Sequence, residues 1–333
     1  MSNENIKEQI LAAIANSRRQ VTLFDYFIIE SIWNSKGPTD ELINHLKLCS
    51  QSPFLFRYMD NRAWLILLAC FIEREYLEQA QSLLFNYLNT FGYKDIHRFF
   101  LVAKFAKENN VTNPEIEKSV LVWDTLTNPQ NETNFRDFVI DKKIAVVGNS
   151  GCQLGKSTGE DIDSHDIVIR FSNYPQNPEY IVDYGSKTNI WVRNSSETLE
   201  HKEDISGYSF VIWKDNFKHF EVRSNYLDIM YNYIVNYPNK LFIINESYYK
   251  SLVDISSIDL PSAGCIVLWY LYQILGGFDN VDVYGFAFLN KDYNDSGHYY
   301  DNLNARLNVD HNLTLEINFL SELYKLKNKN EVL

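Results

Sequence analysis

Six short apolar runs punctuate the second part of the chain: IAVVG (144–148), DIVIRF (166–171), NIWVR (189–193), SFVIWK (209–214), KLFIINE (240–246) and VDVYGFAF (281–288). Each is close to continuous in Val, Ile, Phe or Trp, the composition of a strand buried on both faces. Helix-like stretches alternate with them, among them Asn225–Val235 and Ser262–Leu275. Such alternation predicts an α/β sheet covered on both sides, with ligands at the carboxyl ends of its strands.

Upstream the period changes. From Asn5 to Leu126, segments such as TDELINHLKLC, AWLILLACFIERE and KDIHRFFLVAKFAKENN carry apolar residues three and four apart, and Gly92 and Asn109-Asn110 act as stops. That spacing predicts an all-α region. Aligning LLACFIERE with LVAKFAKEN sets Ala69 over Ala103 and Phe71 over Phe105. The offset of about 34 residues is the period of a helix-hairpin repeat, and an irregular bundle stays open beside it. The polar cluster Asn128–Thr133 marks the expected boundary, giving a helical domain over 1–130 and an α/β domain over 131–333.

The chain has 43 acidic and 31 basic residues, a formal charge of −12, which argues against nucleic acid or an anionic membrane surface as a general partner. Cys49, Cys70, Cys152 and Cys265 show neither a CxxC pair nor metal-ligand spacing. With no secretory leader pattern at the start, a reduced, cytoplasmic compartment is expected. The most apolar run, Ala63–Ile72, is too short to span a bilayer and reads as a buried helix.

The first strand delivers the chain to Gly148-Asn149-Ser150-Gly151. Two glycines let backbone N–H groups approach a ligand, while Asn149 and Ser150 add short polar side chains. Gly155-Lys156-Ser157 has the ending of a phosphate-binding P-loop, but Ser150 stands where its first glycine belongs and Gly151 falls one residue late. The amides are then out of phase for one anion nest, and a nucleoside-triphosphatase is kept only as an alternative. Asp161-Ile162-Asp163 has the DxD spacing of metal-dependent glycosyltransferases, yet it runs into a strand and reads first as a capped turn.

Pro261–Gly277 reads as one core helix, capped by Ser262 and ended by Gly276-Gly277. Its small-residue start, Ser262-Ala263-Gly264, would also let a ligand reach free N–H groups at a positive helix end. Further on, His298-Tyr299-Tyr300-Asp301 follows a Gly/Asn/Asp-rich loop, and His311 opens an amphipathic helix running to about Leu326. A histidine in a first helical turn is held neutral by the dipole and is available as a base.

In this order the motifs resemble those of glycosyltransferase family 29, the animal-type sialyltransferases. The large motif resembles AVVGNSG, IDSHDIVIRF and DYGSKT; the small motif resembles PSAG and VDVYGF; the third resembles HYYD; the very small motif resembles the pair His311 and Glu316. The resemblance covers Lys143 to Leu320. It implies a Rossmann-like, mainly parallel domain, the GT-A-like variant of that family, which binds a CMP-sugar and transfers the sugar with inversion and without metal. The CMP-sugar is a substrate, so no cofactor is implied. A departing monophosphate develops less charge than a diphosphate, so a histidine and backbone donors can serve in place of a cation. By resemblance His311 is the base for the acceptor hydroxyl and His298 assists the departing phosphate. Asn149, Ser150 and Gly151 would hold phosphate and ribose, and Ser262, Ala263 and Gly264 the nucleotide.

The chain departs from the family pattern at three places. Ser172 stands where the family has a donor-binding asparagine, and Asn173 is one place late. Ile144 replaces a family cysteine whose small-motif partner is also missing, so the family disulfide should be absent, as in a cytosolic bacterial relative. The helical region takes the place of a membrane anchor and stem, with acceptor binding, peripheral docking on a membrane or glycan-assembly complex, and oligomer formation as its expected roles. The expected activity is transfer from CMP-sialic acid to a surface glycan. CMP-Kdo is the alternative donor, and an inactive nucleotide- or glycan-binding module is the alternative of another class.

Overall fold

The computed structural model describes residues 23–51, 60–174, 177–195, 201–258, 260–289 and 312–325. The chain divides into two compact units, Met1–Leu121 with Phe217–Leu227, and Val122–Asn216 with Asp228–Leu333.

The first unit contains α1 (Leu23–Lys36), α2 (Asp40–Gln51), α3 (Asn61–Glu73), α4 (Leu77–Phe91) and α5 (Phe100–Glu108). In α3 every residue from Ala63 to Phe71 is buried. A helix apolar on all sides must be enclosed, and α1, α2, α4 and α5 all pack on it. Asp60 sets its start by accepting the Arg62 N–H at 2.9 Å. Ala69, Phe71, Ala103 and Phe105 lie in the same core.

The segment Phe217–Leu227 belongs to this unit because of its polar residues. Val222 donates its N–H to the Arg98 carbonyl at 2.8 Å. Glu221 is buried, pairs with Arg98 at 2.5 Å and accepts the Tyr26 hydroxyl. His219 hydrogen-bonds Glu73 at 2.6 Å, and its ring passes so near Gly37 that a Cβ there would lie 2.8 Å away.

The division falls within α6 (Pro114–Leu126), and α7 (Pro129–Val139) follows. Residues 128–133, expected to break the chain, follow the end of α6 and start the next helix: Asn128 caps it by accepting the Gln130 N–H at 3.0 Å, and Pro129 occupies its first turn. Asn and Pro serve breaker and N-terminus alike, so composition alone does not separate the two.

The second unit is built on β1 (Ile144–Val147), β2 (Ile167–Phe171), β3 (Ile190–Arg193), β4 (Phe210–Trp213), β5 (Leu241–Ile243) and β6 (Val281–Tyr284). These are the six apolar runs, and they form one sheet in the order β5-β4-β3-β2-β1-β6 with every pairing parallel. β1 to β4 are buried at every position, as strands covered on both faces must be.

One face packs Ile144, Val146, Ile169, Val192 and Ile212 against α7, α11 (Glu246–Ser256), α12 (Ala263–Leu275) and α13 (Leu313–Lys325). α12 is buried without a break from Cys265 to Tyr272, and each large apolar side chain there contributes about 1.5–3 kcal/mol by leaving water. The other face sets Ala145, Val147 and Val168 against Ile162 of α8 (Gly159–Ser164) and Tyr184 of α9 (Pro178–Tyr184). α10 (Ser224–Asn236) completes the helices. Among the described residues no helix is long and apolar enough to cross a membrane.

Chain order runs outward from β1 to β5 and then returns to lay β6 on the other flank of β1. The topological switch point therefore lies between β1 and β6, and the crevice beyond their carboxyl ends is where such sheets hold ligands.

Candidate functional site

Two backbones meet at this crevice. Gly148 donates its N–H to the Tyr284 carbonyl at 2.8 Å, and Ser150 donates to Gly285 at 2.9 Å. A Cβ on Gly148 would stand 2.5 Å from the Gly285 oxygen, and a Cβ on Gly285, whose φ is +65°, would stand 2.4 Å from the Gly148 oxygen. Neither position tolerates a side chain. The ring of Phe286 fills the space beside them, with one edge 2.8 Å from a Cβ placed on Gly148 and the opposite edge 2.5 Å from one placed on Gly264. Phe286 thus links the GNSG loop to the start of α12, and Gly264 has a packing reason to be glycine beside any ligand-approach reason.

Asn149 uses both donors of its side-chain amide, on the carbonyls of Phe171 and Asn173, each at 3.0 Å. Its Oδ1 is an acceptor, suited to a hydroxyl and not to a phosphate oxygen. Asn173 accordingly meets Asn149 through its backbone. Ser172, at φ 49°, takes the left-handed conformation that turns the chain after β2, and its carbonyl accepts the Trp191 indole N–H at 2.9 Å. The Ser150 hydroxyl accepts the Cys152 N–H at 3.4 Å and keeps its proton to donate.

The opening turn of α12 comes to the same crevice. Ser262 caps the helix by accepting the Cys265 N–H at 3.2 Å, and Ala263 and Gly264 follow as its first residues, where α-helical N–H groups lack intrahelical partners. The Ser262 N–H itself donates to Glu316 in α13 at 2.7 Å. Burial and the Glu316 charge push the Cys265 thiol far above the usual range. All four cysteines are free thiols. His298 and His311 lie outside the described residues.

The rest of the large motif is scaffold. The Asp183 carboxylate accepts the N–H groups of Gly155 and Ser157, each at 2.7 Å. It occupies the nest that the GKS sequence offered to a phosphate, so the P-loop reading is replaced by an internal contact. Asp163 accepts the N–H of Ser186 at 2.8 Å and of Lys187 at 2.9 Å, and Asp161 accepts the Tyr284 hydroxyl at 2.7 Å. The DxD spacing therefore serves the fold, within α8 and not in a turn. Arg170, 2% exposed, donates to the carbonyls of Tyr184 at 2.6 Å and Lys187 at 3.0 Å.

Motif reading from the sequence did not single out Asp183, Tyr184 or Phe286. The signal available was their place inside DYGSKT and VDVYGF, which says that they matter and not what they touch.

Residues 99–328 match the family model Glycosyltransferase family 29 (sialyltransferase), a span that begins upstream of the motifs. The CMP-N-acetylneuraminate-beta-galactosamide-alpha-2,3-sialyltransferase 2 of Mus musculus is 25% identical over 203 residues, 58% of this chain and 55% of the mouse protein. The Homo sapiens beta-galactoside alpha-2,6-sialyltransferase 1 is 26% identical over 165 residues, 43% of this chain and 40% of that protein. The chain thus spans about half the length of the curated relatives it matches. A solved mammalian sialyltransferase in complex with Gal-beta-1-3GalNAc-ortho-nitrophenol aligns at a TM-score of 0.43 and 22% identity, covering 70% of this chain and 84% of that one.

Proposed function

The chain belongs to glycosyltransferase family 29, the sialyltransferases, and from that premise we propose that it moves sialic acid from CMP-sialic acid to a glycan hydroxyl with inversion. The observation that carries the reading is the convergence of the GNSG loop, Phe286 and the α12 start at the switch point. The relatives' names point to a beta-galactoside or beta-galactosamide as acceptor.

In this reading the Asn149 Oδ1 takes a ribose hydroxyl, while the Ser150 hydroxyl and the Gly151 N–H face the phosphate. Ser262, Ala263 and Gly264 at the start of α12 hold the nucleotide. His311 removes the proton from the acceptor hydroxyl as its oxygen bonds the anomeric carbon. On the opposite side the bond from that carbon to the phosphate oxygen breaks, and His298 donates to the departing phosphate. Because a monophosphate leaves, no metal ion is needed for charge stabilisation.

The test is His311→Ala. Transfer should fall by at least about a hundredfold, the usual contribution of a general base, with CMP affinity within about twofold of the parent. Unchanged transfer would remove His311 as base. A strict requirement for Mn²⁺ or Mg²⁺ in the parent would remove the metal-free mechanism.

A further inference from the structure

Tyr184 is 1% exposed and packs with Ala145, Val147, Ile162 and Val168. It touches the ends of three strands. Its hydroxyl donates to the Ser150 carbonyl at 2.6 Å after β1, its own carbonyl accepts Arg170 of β2, and its ring lies 3.2 Å from where a Cβ of Gly285 would stand after β6.

The contact with Ser150 sets a direction as well as a position. In a trans peptide the C=O and the following N–H point to opposite sides of one plane. With the Ser150 oxygen drawn inward to Tyr184, the Gly151 N–H is turned the other way. The preceding peptide is fixed too, because the Ser150 N–H is held by the Gly285 carbonyl at 2.9 Å. Gly151 opens a 3₁₀ turn, Gly151–Gln153, whose first N–H groups have no partner within the turn. Without the hydroxyl, the peptide beside a glycine can rotate at little steric cost, and the N–H loses its aim.

We propose that Tyr184 is a positioning residue for the donor phosphate: it pins the Ser150 carbonyl and so presents the Gly151 N–H to the anion. The proposal rests on the reading that the GNSG loop holds a CMP-sugar, and the experiment separates the two. CMP and cytidine are titrated calorimetrically into the full chain, into Tyr184→Phe and into Tyr270→Phe. The last removes a core hydroxyl bonded to Glu132 at 3.3 Å, away from the loop. Tyr184→Phe should bind CMP about tenfold more weakly, as expected for one charge-assisted hydrogen bond, with cytidine affinity unchanged. The donor KM should rise in step while kcat stays within about twofold. Tyr270→Phe should change neither ligand's affinity.

Equal CMP affinity in Tyr184→Phe and the parent overturns the proposal, as does an equal loss for CMP and cytidine, the mark of a merely structural role. Failure of the parent chain to bind CMP would instead overturn the donor reading, and the proposal with it.

Discussion

The Glu316 carboxylate accepts the backbone N–H of Ser262 at 2.7 Å, joining the first turns of two helices that are 54 residues apart in sequence. Glu316 is 4% exposed, so the bond is shielded from water. A carboxylate at that place also complements the positive end of α12. Glu316→Ala removes the acceptor of a part-buried N–H, and the expected loss of stability is about 1 kcal/mol. Glu316→Gln keeps an acceptor and should lose less; equal midpoints for the two variants in urea unfolding would refute the pairing.

Asn149 ties the loop after β1 to the loop after β2 through donors alone. Asn149→Asp replaces those donors with acceptors facing the carbonyls of Phe171 and Asn173. We therefore expect Asn149→Asp to weaken CMP binding more than Asn149→Ala does, with Ala costing about tenfold or less. Titration of both variants decides the order, and the reverse order would mean that the ligand contact of Oδ1 outweighs the tie between the loops.

In the helical unit, burial and the nearby Glu221 charge raise Glu30 from 4.5 to about 7, against the opposing pull of Arg62, Arg223 and Arg98. A carboxyl whose folded pKa exceeds its unfolded value adds stability that is complete below pH 4.5 and is lost as pH rises through about 7. The size is about 3 kcal/mol at most. Melting temperature should then fall between pH 4.5 and about 7, the window set by that shift, and Glu30→Gln should flatten the slope. An identical slope in the variant would show that other groups set it.

Asp183 fills the turn at Gly155–Ser157 with its own carboxylate. Asp183→Ala removes two charge-assisted bonds and should cost about 2–4 kcal/mol. In the parent protein ATP with Mg²⁺ should leave the melting temperature unchanged while CMP raises it. Stabilisation by ATP and not by CMP would reinstate the triphosphate reading.

The inner strands were legible because a parallel strand covered on both faces has no polar alternation to disguise it, as IAVVG and DIVIRF show. The switch-point crevice followed once β6 was known to flank β1, and strand order is not written in any local run. Asn128-Pro129 both separates α6 from α7 and starts α7, because capping and chain-breaking draw on the same residues. Nothing local announced that Phe217–Leu227 packs with the helices; its Glu221 finds Arg98 only through tertiary proximity. The roles of Asp183 and Tyr184 depend on which loop lies beside which, so motif spacing could locate them without telling what they hold. The paired roles given to His298 and His311 come from the family resemblance, and both residues lie outside the described ones.

The central claim is transfer of sialic acid from its CMP ester. The most direct measurement offers the full chain CMP-sialic acid and CMP-Kdo separately, each with a panel of terminal galactosides in excess EDTA, and follows CMP release together with the sialylated product. The account predicts acceptor-dependent CMP release from CMP-sialic acid, with one product formed per CMP. Release from CMP-Kdo alone, or from neither donor, would contradict it.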